Sequence, residues 1–224
     1  MREQEFPKRL EDLMFNFNDY LNNFHDNIPF RKYGQFEFHV ATIEKRKEMA
    51  DALTAVSNPD FIKLLWDVLR SWGIGSRGSH LVGFAEFMAS FEESLEDYIE
   101  LDDMKIDENF GTEENVVKKI YSLIDSLSIV TNKTKLVPCS KALHHIFPEL
   151  IVPMDRTYTQ LFFMFNNQEF QNNQYTVFKQ AYKTFMRIAR SVKPEQYVGY
   201  GWNTSQTKVI DNAIIGYCLS NKIA

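Results

Sequence analysis

The chain has 224 residues, of which 44% are hydrophobic, and this combination excludes a disordered chain and allows a sizeable buried core. Its two cysteines, Cys139 and Cys218, are far apart and lack a CxxC spacing, which excludes a disulfide framework and a zinc site. The net charge of -5 weakly disfavours nucleic-acid binding.

Hydrophobic residues recur every three or four positions along most of the chain, which is the period of amphipathic helices. Nine helices are predicted, at residues 7–24, 35–56, 60–72, 79–101, 113–127, 136–147, 156–166, 175–192 and 206–221. No segment shows the alternation of a strand followed by a hairpin turn. We therefore expect a single all-α domain of about nine helices covering residues 1–224. A loop near 103–112 divides it into two candidate lobes, about 1–105 and 112–224.

The charge is distributed unevenly. Residues 91–115 hold eleven acidic residues against one lysine, so the rest of the chain carries a net charge of +5. Residues 156–193 contain six basic residues and a single acid, Glu169. A segregated basic region favours an anionic partner.

No apolar run approaches the roughly 18 residues of a membrane span, and the charged N-terminus lacks the apolar core of a secretory signal. A cytoplasmic protein without a membrane partner is the expectation.

The stretch GIGSRG, from Gly73 to Gly78, matches the GxGxxG pattern of dinucleotide-binding sites. Such a site needs a strand before the glycines, whereas FIKLLWDVLRSW has helical character. Two interpretations stay open. The stretch is a flexible connection between helices, or its amides hold a phosphate together with Arg77 and the start of the following helix.

His144 and His145 are adjacent, whereas two metal ligands on one helix face need a spacing of three or four. Neighbouring side chains diverge by roughly 100°. No metal or cofactor is predicted here, and we expect one histidine to be packed and the other exposed.

The predicted helix at 175–192 carries four cations within about 80° of each other around its axis, namely Lys179, Lys183, Arg187 and Arg190. A solvated face usually mixes both signs of charge. This basic face is therefore either a solvated surface or a contact for an anionic partner, most simply a nucleic-acid backbone.

The loop YVGYGWNTSQTK, from Tyr197 to Lys208, places aromatic residues among glycines before the last helix. If Tyr200 and Trp202 are exposed, they suit stacking on a base or filling the space that an extruded base leaves. If they are buried, they belong to the core.

The segment SKALHHIFPELIVPMDRTYTQ, from Ser140 to Gln160, contains two prolines, Pro148 and Pro153, which bracket a short extended link. Asp155 follows this link at the predicted start of a helix, where backbone amides hold its carboxylate ionised. The simplest interpretation is an N-cap worth about 1 kcal/mol. The alternative is a carboxylate at the mouth of an active site.

The segment IVPMD, from Ile151 to Asp155, resembles the (V/I)P(V/I)D motif of the helix-hairpin-helix DNA glycosylases, and Lys135 stands 20 residues before Asp155. The resemblance covers about residues 115–165 and implies an all-α, two-lobed fold. It also implies that Asp155 is the catalytic aspartate and that Lys135 is the Schiff-base lysine of bifunctional members, with Lys141 as a competing candidate. The family's hairpin, roughly LPGVG, is replaced here by SLSIVTNKTK, so the chain resembles a divergent member without the hairpin glycines. The iron-sulfur cysteines of some members are absent, and no cofactor is implied.

The resemblance implies a DNA glycosylase-like protein, a hydrolase with possible lyase activity, which flips a modified or damaged base and begins its excision. The suspected partner is DNA. The first alternative is a non-catalytic nucleic-acid-binding or protein-interaction module. The second is a regulatory or toxin-type protein whose acidic segment binds a basic partner.

Overall fold

The computed structural model describes residues 2–30, 34–75, 79–92, 95–108 and 112–223, with side chains from residue 4 onward. The fold is all-α, as predicted. The described residues form thirteen α-helices, which are α1 Arg2–Phe15, α2 Phe17–Asp26, α3 Gln35–Lys47, α4 Ala52–Val56, α5 Pro59–Ser71, α6 Phe84–Ala89, α7 Leu95–Leu101, α8 Glu113–Ser126, α9 Leu136–Ile146, α10 Tyr158–Phe162, α11 Asn167–Asn172, α12 Gln174–Val192 and α13 Gln206–Ser220. A short 3-10 helix, Pro194–Tyr197, follows α12. None of the described helices is long and apolar enough to cross a membrane.

Several predicted helices are divided in the structure. The helix predicted at 7–24 breaks at Asn16 into α1 and α2. The one predicted at 35–56 stops after α3 and restarts at Asp51, whose carboxylate accepts a hydrogen bond from the amide of Thr54 at 2.6 Å. That bond is the standard N-cap contact, so the restart is set by a local side chain.

The prediction of a helix at 79–101 is wrong for its first residues. Residues 79–83 are not helical, and Leu81 forms an isolated antiparallel bridge with Val130. The amide of Val82 donates to the carbonyl of Ile129 at 3.1 Å, and the amide of Thr131 donates to the carbonyl of His80 at 2.9 Å. Pairing with a segment about 50 residues away has replaced the local helical hydrogen bonds.

The helix predicted at 156–166 is shorter than expected. It ends after α10, where Met164 adopts a positive φ of 58°. A new helix, α11, begins after Asn166, which forms a capping box with Glu169. The reciprocal bonds of such a box satisfy amides that the new helix leaves open, which favours a fresh start over continuation.

The core is built around α13. Every residue of this helix from Gln206 to Cys218 is buried, although the segment includes lysine, aspartate and asparagine. It packs against α2, α10 and α12, so the beginning and the end of the chain meet in the interior. One buried cluster contains residues from Leu10 to Cys218. The division into two lobes stays a prediction.

Candidate functional site

A cavity of about 740 Å³, called the main cavity below, lies where several parts of the chain converge. Its walls come mainly from residues 29–30, the start of α3, the end of α5, the start of α9, the link before α10 and the junction of α11 with α12. The lining includes Phe30, Trp72, Ile74, Leu136, Lys141, Asp155, Arg156, Tyr158, Phe170 and Gln174. Its volume lies within the roughly 300–1,000 Å³ of pockets that bind small organic groups.

The turn at Gly73 shapes one wall of the main cavity. Gly73 has a φ of 84°, a conformation that is costly for residues with a Cβ atom. The amide of Ile74 then donates to the carbonyl of Leu69 at 3.0 Å, which closes the end of α5. A helix therefore precedes the glycines, in place of the strand that a dinucleotide-binding turn requires. Arg77 lies outside the described residues.

Asp155 is half-buried at the wall of the main cavity. Its Oδ1 accepts hydrogen bonds from the amides of Thr157 at 2.9 Å, Tyr158 at 2.6 Å and Thr159 at 3.4 Å. The amide of Asp155 donates to Oγ1 of Thr159 at 3.0 Å, which completes a reciprocal cap. Each of these bonds to the carboxylate uses Oδ1, and Asp155 also lines the main cavity.

The link before Asp155 is anchored from behind. Residues 151–154 are buried, and the amide of Met154 donates to Oγ of Ser140 on α9 at 3.1 Å. This contact fixes the link against the helix that carries Lys141. The positions of Asp155 and Lys141 are therefore linked through this contact.

Lys141 lies on α9 and lines the main cavity together with Asp155. Its ammonium nitrogen lies 5.5 Å from the centroid of the Trp72 ring, which is a favourable distance for a cation and an aromatic face. Burial lowers the pKa of Lys141, while the Asp155 and Asp211 carboxylates oppose that change. Lys141 therefore has a larger fraction of neutral amine than an ordinary lysine.

A smaller pocket of about 40 Å³, called the inner pocket below, adjoins the main cavity. Five lining residues are common to both, and these are Phe30, Gln35, Trp72, Lys141 and Asp155. Pro153, Lys208 and Asp211 complete the inner pocket. The two spaces therefore form one site with a wide outer part and a narrow polar end.

Lys208 is 1% exposed, which is unusual for a lysine. Its Nζ donates to Oδ2 of Asp211 at 2.5 Å and to Oδ1 of Asn212 at 2.8 Å. Four ring centroids lie between 5.4 and 5.9 Å from Nζ, those of Phe24, Phe30, Trp72 and Trp202. The aromatic faces and the two acceptors together compensate the ammonium for the loss of water.

Sequence reasoning missed Lys208 and Asp211. Both lie on a helix whose other residues are largely apolar, with polar side chains at positions 208, 211 and 212. Spacings of three and four place these side chains on one face of the helix. Polar residues sharing one face of an otherwise apolar helix are the signal that could have revealed a buried polar site.

Three histidines form a buried network behind Lys141. His39 and His145 are hydrogen-bonded through Nδ1 and Nε2 at 3.0 Å, and His145 Nδ1 lies 2.8 Å from the carbonyl of Lys141. His144 Nδ1 lies 2.9 Å from the carbonyl of Ile151, the first residue of the link before Asp155. The expectation that one of the adjacent histidines is exposed is wrong, because both have 0% exposure. Other elements pack on both side chains, since His145 is hydrogen-bonded to His39 of α3 and His144 to Thr207 of α13.

The histidine network is neutral. Burial lowers the pKa of His145 to about 4 and lowers the pKa values of His39 and His144 well below their usual range. Among the described residues, no group of three or more histidine, cysteine or acidic side chains has an arrangement that could hold a metal ion. The network instead connects the Lys141 backbone to the packing around Trp72 and Trp202.

Lys135 lies apart from Asp155. It precedes α9, and its ammonium donates to the backbone carbonyl of Asp125. Lys135 is absent from the linings of the main cavity and the inner pocket, whereas Lys141 belongs to both. Of the two candidate lysines, Lys141 is the one that shares a cavity with Asp155.

The basic face of α12 is largely matched by acids of α8. Lys179 and Lys183 lie 2.7 and 3.2 Å from the carboxylate oxygens of Glu114, and hydrogen bonds from both lysines lower the pKa of that glutamate to about 2. Arg190 lies 2.5 Å from Glu113. Arg187 is exposed. Much of the positive charge predicted for a phosphate backbone is thus used within the chain.

Other acids from the 91–115 segment also bind partners inside the chain. Asp102 accepts from Arg46 at 2.5 Å and from the amide of Ala52 at 2.8 Å. Asp107 accepts from the side-chain amide of Gln206 at 3.2 Å. These contacts give part of the acidic segment a structural role.

The two candidate residues of the aromatic loop, Tyr200 and Trp202, lie in different environments. Tyr200 is 73% exposed and packs edge-on against His25, with the ring centroids 5.2 Å apart. Trp202 is 4% exposed and stacks on His39 at 5.5 Å. Trp202 therefore belongs to the aromatic rings around Lys208, and Tyr200 is the one of these two residues that a ligand can reach.

Comparisons with protein-family models, with curated proteins and with solved structures found no match for this chain.

Proposed function

We propose that the chain is a DNA glycosylase-like enzyme that cleaves the N-glycosidic bond of a base extruded into the main cavity. The observation that carries the proposal is the shared position of Asp155 and Lys141 on the wall of that cavity, beside aromatic side chains. An extruded base needs a recess with flat apolar walls and a few fixed polar groups. Trp72, Phe30 and Tyr158 supply the aromatic part of such a wall.

Asp155 is suited to stabilise the charge that develops when the glycosidic bond breaks. Positive charge accumulates on the sugar as the base leaves, and a carboxylate already held in place opposes it without reorganisation. The amides bonded to Oδ1 fix the orientation of the group. Oδ2 then faces the sugar, or accepts a proton from an attacking water.

Lys141 offers a second route for the same bond. A neutral amine can attack the anomeric carbon while the base departs with the bonding electrons and takes up a proton. Burial favours the neutral amine of Lys141, and Asp155 lies on the same cavity wall to assist the proton transfers. We assign this role to Lys141 rather than to Lys135, whose ammonium is bonded to the carbonyl of Asp125.

Contacts with the DNA backbone are assigned to cations that reach solvent. Arg156 is exposed at the wall of the main cavity, next to Asp155, where the phosphate of an extruded nucleotide would pass. Arg187 is exposed on α12. Tyr200, also exposed, is the candidate for stacking on DNA bases.

The test is a base-release screen on DNA duplexes that each carry one modified base, with wild type compared with Asp155→Asn. Asparagine keeps the oxygen that accepts the amide bonds, so the cap is retained while the charge is removed. Release of one or more bases by wild type and loss of release in the variant are expected. A wild-type protein that releases no base from any duplex would contradict the proposal.

A further inference from the structure

The inner pocket is small, and five of its eight lining residues are polar or charged. Its volume of about 40 Å³ holds a few waters or one polar edge of a ring, but not a whole base. It adjoins the main cavity beside Asp155 and Lys141, and Trp72 and Phe30 line both spaces. A planar ring lying in the main cavity would therefore present one edge to the inner pocket.

Lys208 supplies a hydrogen-bond donor to this space. Its ammonium has three donors, and two of them are used by Asp211 and Asn212. Lysine has no acceptor, so a ligand atom bonded to the third donor must itself be an acceptor. The side chain is 1% exposed, and it lines the inner pocket, so the pocket is where that donor meets a ligand.

Asp211 supplies the matching acceptor. It is 6% exposed and also lines the inner pocket. Its Oδ2 accepts from Lys208, and the hydrogen bonds among the described residues leave Oδ1 without a donor. A ligand atom beside Oδ1 must carry a proton.

We infer that the inner pocket recognises the edge of a heterocyclic base on which an acceptor and an N–H donor stand side by side, with Lys208 reading the acceptor and Asp211 the donor. This inference rests on the proposed function, because it treats the main cavity as the place where a base lies. Uracil and hypoxanthine carry such an edge as a ring N–H beside a carbonyl. A methyl group on that ring nitrogen removes the donor and adds bulk in a space of about 40 Å³.

The inference therefore excludes bases alkylated at the ring nitrogen of that edge from the substrates of this site. Loss of one hydrogen bond to a buried charged group leaves the carboxylate without its partner, which costs more than the bond itself contributes. Discrimination of at least about tenfold follows against the methylated base.

The experiment measures binding of four deoxynucleosides in two matched pairs, deoxyuridine with N3-methyldeoxyuridine and deoxyinosine with N1-methyldeoxyinosine. Trp72 and Trp202 surround Lys208, so quenching of tryptophan fluorescence reports occupation of the inner pocket. We expect each unmethylated nucleoside to bind wild type at least about tenfold more tightly than its methylated counterpart.

The matched variant is Lys208→Met combined with Asp211→Leu, which removes both charges together and so leaves no unpaired buried ion. In this variant the preference should vanish or reverse, because an apolar pocket favours the methyl group. Lys118→Met, a change of an exposed lysine on α8, should leave the preference unchanged. A wild-type protein that binds both members of each pair equally, or binds none of the four, overturns the inference, and so does a preference that survives in the double variant.

The nucleoside panel and the base-release screen together separate this inference from the proposed function. Discrimination between the nucleosides without base release from any duplex supports the recognition pocket and contradicts the glycosylase. Base release that depends on Asp155, with equal binding of methylated and unmethylated nucleosides, supports the glycosylase and contradicts the recognition pocket.

Discussion

The ammonium nitrogen of Lys208 lies 2.5 Å from Oδ2 of Asp211, and both side chains are buried. Burial raises the pKa of Asp211, and the nearby ammonium of Lys208 opposes the rise. A pair of this kind is weak as a source of stability, because both ions have lost their water. Removing one partner is nevertheless costly, because the other charge is then buried alone.

Lys208→Met alone is therefore expected to lower the free energy of unfolding by about 3–5 kcal/mol. The double variant with Asp211→Leu should recover most of that loss, because no charge remains to be compensated. Urea denaturation of the wild type, both single variants and the double variant gives the coupling energy directly. If the losses of unfolding free energy in the two single variants add up to the loss in the double variant, the two side chains do not interact.

Gly216→Ala is expected to destabilise the crossing of α13 with α2. A Cβ atom at this position would lie 1.8 Å from the carbonyl oxygen of Tyr20, so the two helices must separate. Such overpacking costs about 1–3 kcal/mol, and more where backbone is in the way. Thermal unfolding measures the change.

Gly83→Ala is the matched control for that substitution. Gly83 has a φ of -56°, and a Cβ atom there would meet its nearest neighbour at 3.8 Å. The melting temperature of this variant should stay close to that of wild type. If Gly216→Ala and Gly83→Ala change the melting temperature equally, the close approach of α13 to Tyr20 does not constrain the fold.

The buried histidines make stability depend on pH. Their folded pKa values are lowered, to about 4 for His145, whereas the unfolded chain titrates near its ordinary 6.5. Between these values the unfolded state binds more protons, so stability is full above about pH 6.5 and falls as the pH decreases. Each histidine contributes a slope of about 1.4 kcal/mol per pH unit once its unfolded form is protonated.

Urea midpoints between pH 7.5 and 5, where ordinary carboxylates remain ionised, measure this slope. His80→Gln, which changes an exposed histidine, should leave the slope unaltered. A constant free energy of unfolding across that range would contradict neutral buried histidines in the native state.

The lysine assignment is tested by borohydride trapping on DNA containing a target base or an abasic site. If the enzyme forms a Schiff base, Lys141→Arg should abolish the covalent adduct, because arginine stays charged and cannot attack. Lys135→Arg should leave the adduct intact, since Lys135 lies outside both cavities. An adduct that survives in Lys141→Arg and disappears in Lys135→Arg would reverse the assignment.

The sequence predicted the fold class because the helical period of apolar residues is a local signal. It predicted the boundaries less well where a distant segment competes, as when Leu81 pairs with Val130 instead of beginning a helix. It also predicted that backbone amides would hold the carboxylate of Asp155, because the capping signal is local.

The composition of the site could not be predicted in the same way. The basic face of α12 looked uncompensated because Glu114 lies about 65 residues before Lys179 in the chain, and a helical period does not tell which helices pack together. Lys208 and Asp211 reach the inner pocket because α13 crosses the interior beside Trp72 and Asp155. That arrangement belongs to the tertiary structure rather than to any local pattern.

The central claim is tested most directly by the rate at which a base is released from a duplex that wild type accepts as a substrate, measured for Asp155→Asn and for Asp125→Asn. Asp125 is an exposed residue at the end of α8, so its variant controls for the loss of one carboxylate. The account predicts that Asp155→Asn releases the base at least about 100-fold more slowly, with unfolding and DNA binding unchanged, whereas Asp125→Asn behaves like wild type. Wild-type rates in Asp155→Asn, or a loss of activity that merely follows a loss of thermal stability, would show that Asp155 is a helix cap and not a catalytic residue.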